Sequence, residues 1–173
     1  MTPAQRRARL YTPQDRPWVE QIDKSDKELY RWMRTANHLR GNDMEEHDFI
    51  DWIDSHLAKF DEVYFIHDRH RGFEQGAGPM CLVGVKVEGQ NKEPHVEWFP
   101  WASPRNILRC AVSFFMLHRR KGTGVMKVYA LEKDRQFYTR LEQYIPLFFA
   151  GKIPNGDPWG RGTEYRYYIQ GRG

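Results

Sequence analysis

The sequence predicts a mixed α/β (α+β) fold, a central sheet flanked by helices. Two observations lead there. Apolar residues recur at three- and four-residue steps in segments separated by Gly, Pro and Asn, the mark of amphipathic helices. Between them lie short runs rich in β-branched and aromatic residues, bounded by turn chemistry. The elements follow the order β-α-α-β-β-β-α-β-α-β-β, so hairpin strands precede a βαβ unit within one domain, residues 1–173.

Each element has a local reason. Arg7–Tyr11 reads as a short opening strand, broken by Pro13 and Pro17. Trp18, Ile22, Leu29, Trp32, Met33 and Ala36 form one helical stripe, ended by Gly41-Asn42. Asn42 or Asp43 caps a second helix carrying Phe49, Ile50, Trp52, Ile53, Leu57 and Phe60, with Asp48, Asp51 and Asp54 facing water. Val63–Ile66 and Cys81–Glu88 are strands, and Gly89-Gln90-Asn91-Lys92 turns the second into the strand His95–Trp101. Ser103-Pro104 supplies an N-cap and a first-turn proline for a helix through Ile107–Leu117, with Ile107, Leu108, Ala111, Phe114, Phe115 and Leu117 inward. Gly122-Thr123-Gly124 ends it. Val125–Leu131 is a strand and Asp134–Ile145 a helix. Pro146–Lys152 and Tyr165–Gln170 form the last strands, joined by the Pro- and Gly-rich loop Ile153–Thr163.

Composition excludes several classes. Mean hydropathy is −0.80, yet the chain holds 10 Phe, 6 Trp and 9 Tyr. Disordered chains are poor in aromatics, so these residues build a core. No apolar stretch approaches the ~20 residues of a membrane span. MTPAQRRARLYTP is not followed by the apolar stretch of a secretory signal. Cys81 and Cys110 sit in apolar runs without a CxxC spacing, which predicts a buried, reduced pair in a cytosolic protein. His67, Asp68 and His70 stand beside Arg69 and Arg71, which oppose a cation, so no metal site is expected.

Charge is unevenly spread. Residues 1–104 carry 14 Lys and Arg against 18 Asp and Glu, and residues 105–173 carry 13 against 5. The basic segment Arg105–Lys121 is a candidate nucleic-acid contact, although no nucleic-acid-binding motif accompanies it.

The element order resembles that of the GNAT superfamily, the acyl-CoA-dependent N-acetyltransferases. Residues extend the resemblance. His95–Trp101 running into the helix from Ser103 is similar to the family's central strand and cofactor-facing helix. Val125–Leu131 followed by Phe137-Tyr138 is similar to its next strand and helix. On this resemblance Glu97, in mid-strand, is the candidate base, with a raised pKa if buried, and Tyr138 the candidate acid that protonates the leaving thiolate. Phe99, Trp101, Ser103, Arg105 and Asn106 are the candidate acetyl-CoA contacts.

One departure stands out. The family's phosphate loop, Gln/Arg-x-x-Gly-x-Gly/Ala, is replaced by Ala102-Ser103-Pro104-Arg105-Asn106-Ile107. No glycine lets the backbone approach a pyrophosphate, and Pro104 has no N–H to offer it. Arg105 and the helix dipole remain.

The strand–helix signature from His95 to Leu108 also resembles small GNAT-like proteins of tailed bacteriophages. With the glycine loop missing, the expectation is a non-catalytic phage component, internal or at the head–tail junction. It would bind other virion proteins or itself without a cofactor. Its setting would be the host cytoplasm and the virion. Trp98, Trp101, Trp159 and Tyr165–Tyr168 are its candidate contact aromatics. The alternative is an acetyl-CoA-dependent N-acyltransferase with an atypical cofactor loop; a third reading is an inhibitor of host defence on the same scaffold.

Overall fold

A computed structural model describes residues 1–70 and 78–173. The Gly76–Gly78 motif therefore lies largely outside the described residues. The elements are α1 (Pro3–Leu10), β1 (Trp18–Ile22), α2 (Lys27–Leu39), α3 (Glu46–Leu57), β2 (Glu62–His67), β3 (Cys81–Glu88), β4 (Asn91–Trp98), α4 (Pro104–Lys121), β5 (Val125–Leu131), α5 (Arg135–Leu141), β6 (Phe148–Ile153) and β7 (Glu164–Gln170). Behind α1, their order is the one the sequence predicts. Seven strands form a single sheet in the order β1-β2-β3-β4-β5-β7-β6. Every pairing is antiparallel except β4 with β5.

The N-terminal expectation is corrected. Arg7–Tyr11 is not a strand; residues 3–10 are helical, because Thr2 and Gln5 form a reciprocal capping box and Pro3 occupies the first turn. Trp18 does not start a helix. It opens β1, paired with β2 from Trp18 opposite His67 to Ile22 opposite Val63. The helical spacing of Trp18 and Ile22 with Leu29 is coincidental. Asp23 accepts hydrogen bonds from the Ser25 amide and hydroxyl, and Asp26 caps the Glu28 amide, so the helix begins at Lys27.

The sheet separates two apolar layers. On one face Leu29, Met33, Phe49, Ile53 and Leu57 of α2 and α3 pack on Val63, Phe65 and Leu82. On the other, Leu108, Val112 and Phe115 of α4 pack on Ile66, Val83, Val85 and Val128. Both cysteines are free and buried. Burial raises the pKa of both thiols, which keeps them protonated.

Helix α4 is also the anchor of the N-terminal segment. Arg109 is 1% exposed. Its guanidinium donates to both carboxylate oxygens of buried Asp68 at 2.9 and 3.0 Å, and to the carbonyls of Leu10 and Asp15, each at 2.6 Å. One turn on, the Ser113 hydroxyl donates to the Pro17 carbonyl at 2.6 Å. The chain between α1 and β1 is thus held by two side chains of one helix.

Removing one partner of a buried pair leaves the other charge uncompensated. Asp68→Ala is expected to cost about 3–5 kcal/mol of unfolding free energy, read from the urea midpoint. A loss below about 1 kcal/mol would show that the pair does not hold this region.

Candidate active site

The parallel strands β4 and β5 pair at one position, Lys92 opposite Met126. That end is closed firmly. The Asn91 side chain accepts from the Val125 amide at 3.1 Å. Gly124 has a φ of +68°, and a Cβ there would lie 2.3 Å from the Gln90 carbonyl oxygen. Beyond it the strands run on unpaired, and a cavity of about 390 Å³ opens between them.

Pro94 marks the open edge. The Asp61 amide takes the Val85 carbonyl, so the backbone polar groups of Val85 face β2. Val85 lies opposite Pro94, whose own nitrogen must then face the seam. A proline is tolerated in this interior strand because its missing N–H falls where no ladder partner exists. By the same alternation the backbone groups of Val96 point into the seam, whereas the Trp98 carbonyl accepts from the Arg40 guanidinium.

The two faces of β4 carry different chemistry. Pro94, Val96 and Trp98 line the cleft together with Ile107, Phe114 and Phe115 of α4, Val128 and Tyr129 of β5, Asp134, and Phe137 and Tyr138 of α5. Tyr138 stacks on Tyr167 with ring centroids 5.0 Å apart. Burial, assisted by the charge of Asp134, raises its pKa, so its hydroxyl keeps its proton at neutral pH.

Glu93, His95 and Glu97 alternate with the cleft residues. Their partners differ. Glu97 meets Arg40 at 3.3 Å and His56 at 3.4 Å. Burial alone would raise its pKa, but the hydrogen bond and charge of His56 with the charge of Arg40 hold it below the usual carboxylate range. The raised value expected for a base is therefore not found, and Glu97 lines neither this cleft nor the cavity described next.

His95 occupies a different position. Its Nε2 lies 3.0 Å from Glu93 Oε1. It lines the cleft and also a second cavity of about 840 Å³ on the α2–α3 side. Tyr129 borders both as well. The second cavity is walled by Lys86, Glu93, Glu164, Arg166 and the loop Gly156–Arg161. Asp157 builds that loop by accepting from the Trp159 and Arg161 amides and, twice, from the Arg161 guanidinium. These bonds push the Asp157 pKa down to about 2. The loop displays Trp159, which is 74% exposed. Burial lowers the pKa of His95 more strongly than Glu93 raises it, with Lys86 also lowering it. His95 is thus neutral at pH 7.

The expected acetyl-CoA contacts distribute unevenly. Phe99 is 2% exposed, stacks on Trp101 at 4.8 Å, and packs on Phe65 under α2 and α3. The Trp101 indole donates to the Pro79 carbonyl at 2.8 Å and leans on Trp32. Neither lines the cleft. Ser103 and Asn106 form a capping box at the start of α4, with Asn106 wholly buried, while Arg105 is exposed. Within Arg105–Lys121, Arg109 is buried, so the exposed positive charge is less than the count suggests. His67 bonds Glu20 and Asp68 bonds Arg109, so the loop histidines and Asp68 do not converge. No helix among the described residues is long and apolar enough to cross a membrane.

Residues of the site that escape the expected set include Glu93, His95 and Tyr129. The signal for the first two was the parity they share with Glu97 along one strand.

No family model and no curated protein matches the chain. Solved structures do. A chimera of the spermidine N-acetyltransferase SpeG from Vibrio cholerae and hSSAT aligns with a TM-score of 0.57 at 12% identity, over 90% of this chain and 95% of that one. A GNAT-family acetyltransferase from Bacillus anthracis gives 0.56 at 12%, over 90% and 95%. A probable GNAT-family acetyltransferase from Chromobacterium violaceum gives 0.57 at 12%, over 90% and 83%. The chain therefore has the GNAT fold. These neighbours correct the expected function: structures of this shape are named as acetyltransferases, which favours the acyltransferase alternative over a non-catalytic virion component. The bacteriophage resemblance finds no counterpart among them.

The His95–Glu93 pair gives a direct expectation. In an NMR pH titration the His95 ring should titrate below the ordinary histidine value of about 6.5. Glu93→Gln, which removes the raising charge, should lower the midpoint further. The unfolded chain then binds the proton more readily, so this group erodes stability as pH falls below about 6.5. A midpoint above 6.5, or an upward move in the variant, would contradict the placement of His95.

Proposed function

We propose that the chain is an N-acyltransferase that moves an acyl group from a thioester of the acyl-CoA type to an amine. The observation that carries this reading is the unpaired seam between β4 and β5, with Tyr138 on one side and His95 on the other. Extended backbone without ladder partners needs hydrogen bonds from elsewhere. The Val96 edge suits an arm that carries its own amides, and the surrounding wall of Phe114, Phe115, Val128 and Phe137 suits a methylene chain.

The donor supplies an activated carbonyl; the chain's side chains handle protons. An ionised Glu93 can only accept, so His95 Nε2 carries the hydrogen and Nδ1 keeps its lone pair. His95 accepts the proton that the amine gives up as the C–N bond forms. Tyr138 gives a proton to sulfur as the C–S bond breaks, so amide and free thiol leave and solvent restores both groups. Glu97, ion-paired with Arg40 and 3.4 Å from His56, is a positioning residue for α2 and α3 in this scheme. The amine enters through the larger cavity, past Trp159. Amine acceptors are supported by the neighbours' names, among them spermidine N-acetyltransferase.

Thiol release from acetyl-CoA, measured against spermidine, free lysine and a short peptide, tests the reading. Turnover with at least one amine is expected. Tyr138→Phe and His95→Gln should each lower kcat roughly 10²- to 10⁴-fold with folding retained. A loss of that size at Glu97→Gln, with His95→Gln unaffected, would move the base to Glu97. Absence of thiol release with every amine, together with no binding of acetyl-CoA, would overturn the proposal.

A further inference from the structure

We infer that the acyl donor is recognised chiefly through its acyl-pantetheine arm, the described residues at the start of α4 offering the phosphates of its nucleotide end only the Arg105 amide and side chain. This rests on the acyltransferase reading and concerns the donor half of the same site.

Nearly every amide at that helix start is already engaged. A helix N-terminus binds an anion with its first free N–H groups. Here the Ala102 amide bonds the Phe99 carbonyl at 3.0 Å, and the Ile107 amide bonds the Ser103 carbonyl at 3.0 Å. The Ser103 amide donates to Asn106 Oδ1 at 3.0 Å, and the Asn106 amide to Ser103 Oγ at 3.1 Å. Pro104 has none. Only the Arg105 amide is left.

The cap is not easily opened. Asn106 Oδ1 also takes the Ser103 hydroxyl at 2.8 Å, while its Nδ2 donates to Asp68 Oδ2 at 2.9 Å and to the His70 carbonyl. Asn106 is 0% exposed, and Asp68 is the partner of Arg109. Freeing the Asn106 amide for a phosphate would strand buried polar groups of this network. The chain has put a neutral, self-satisfied cap where a phosphate would sit. The seam, in contrast, presents the Val96 backbone to an amide-bearing arm, while the Trp98 carbonyl is already taken by the Arg40 guanidinium.

Titration calorimetry with the full chain decides it, using acetyl-CoA, S-acetyl-pantetheine and adenosine 3′,5′-bisphosphate as probes. The two thioesters should bind within about tenfold of each other, and the bisphosphate should not displace acetyl-CoA at millimolar concentration. A preference for acetyl-CoA of more than about tenfold, with displacement by the bisphosphate, would overturn this inference and leave the acyltransferase reading standing. No binding of either thioester would remove that reading, and this inference with it.

Discussion

Arg109 sits in the second turn of α4 with its guanidinium out of solvent, and most of the molecule's arrangement can be traced to its hydrogen bonds. Two go to Asp68, just past the end of β2, and two to carbonyls of the segment between α1 and β1. Burying such a pair is not in itself a strong source of stability, because desolvation opposes the attraction. What it provides is position. Asp68 is drawn to the first turns of α4, Asn106 is fixed against it, and the direction of α4 over the sheet follows. Since α4 supplies Ile107, Phe114 and Phe115 to the cleft, the shape of the cleft depends on a contact that never touches it.

The second constraint is the parity of β4. Three residues face α4 and the cleft, and three face α2, α3 and the larger cavity. The carboxylate Glu97 is paired with Arg40 and lies 3.4 Å from His56, so it stays ionised. His95, two residues earlier on the same face, has Glu93 as its partner and Phe60 beside it, with ring centroids 5.5 Å apart. Gly84, its cross-strand neighbour, makes room for that ring: a Cβ there would lie 2.3 Å from Phe60. The imidazole is thereby left neutral where the two cavities meet.

Much of this was legible in the sequence, and the failures have physical causes. Cys81–Glu88 and Val125–Leu131 have the bounds that their turn residues imply, and Ser103-Pro104 starts its helix as a cap and first-turn proline should. The Thr2-Pro3-Ala4-Gln5 box was equally readable and carries the first helix. Trp18 misled because two apolar residues four apart fit a strand end as well as a helix turn. Glu97 could not be told from His95, because what separates them is Arg40 and His56, more than forty positions away in sequence. Phe99 and Trp101 were expected on the strand from His95, but β4 ends at Trp98 and both lie past its end, packed with the α2 and α3 layer. Which face of a strand opens on a cavity is decided by which helices cover the other, and that information is tertiary.

What fills the seam between β4 and β5 decides whether this chain works as an acyltransferase. A crystal structure with a non-cleavable thioether analogue of an acyl-pantetheine would test it most directly. The expected result is the arm lying between the strands, an amide bonded to the Val96 backbone and its sulfur beside the Tyr138 hydroxyl. An analogue bound elsewhere, or a seam that stays closed to it at saturating concentration, would contradict the account.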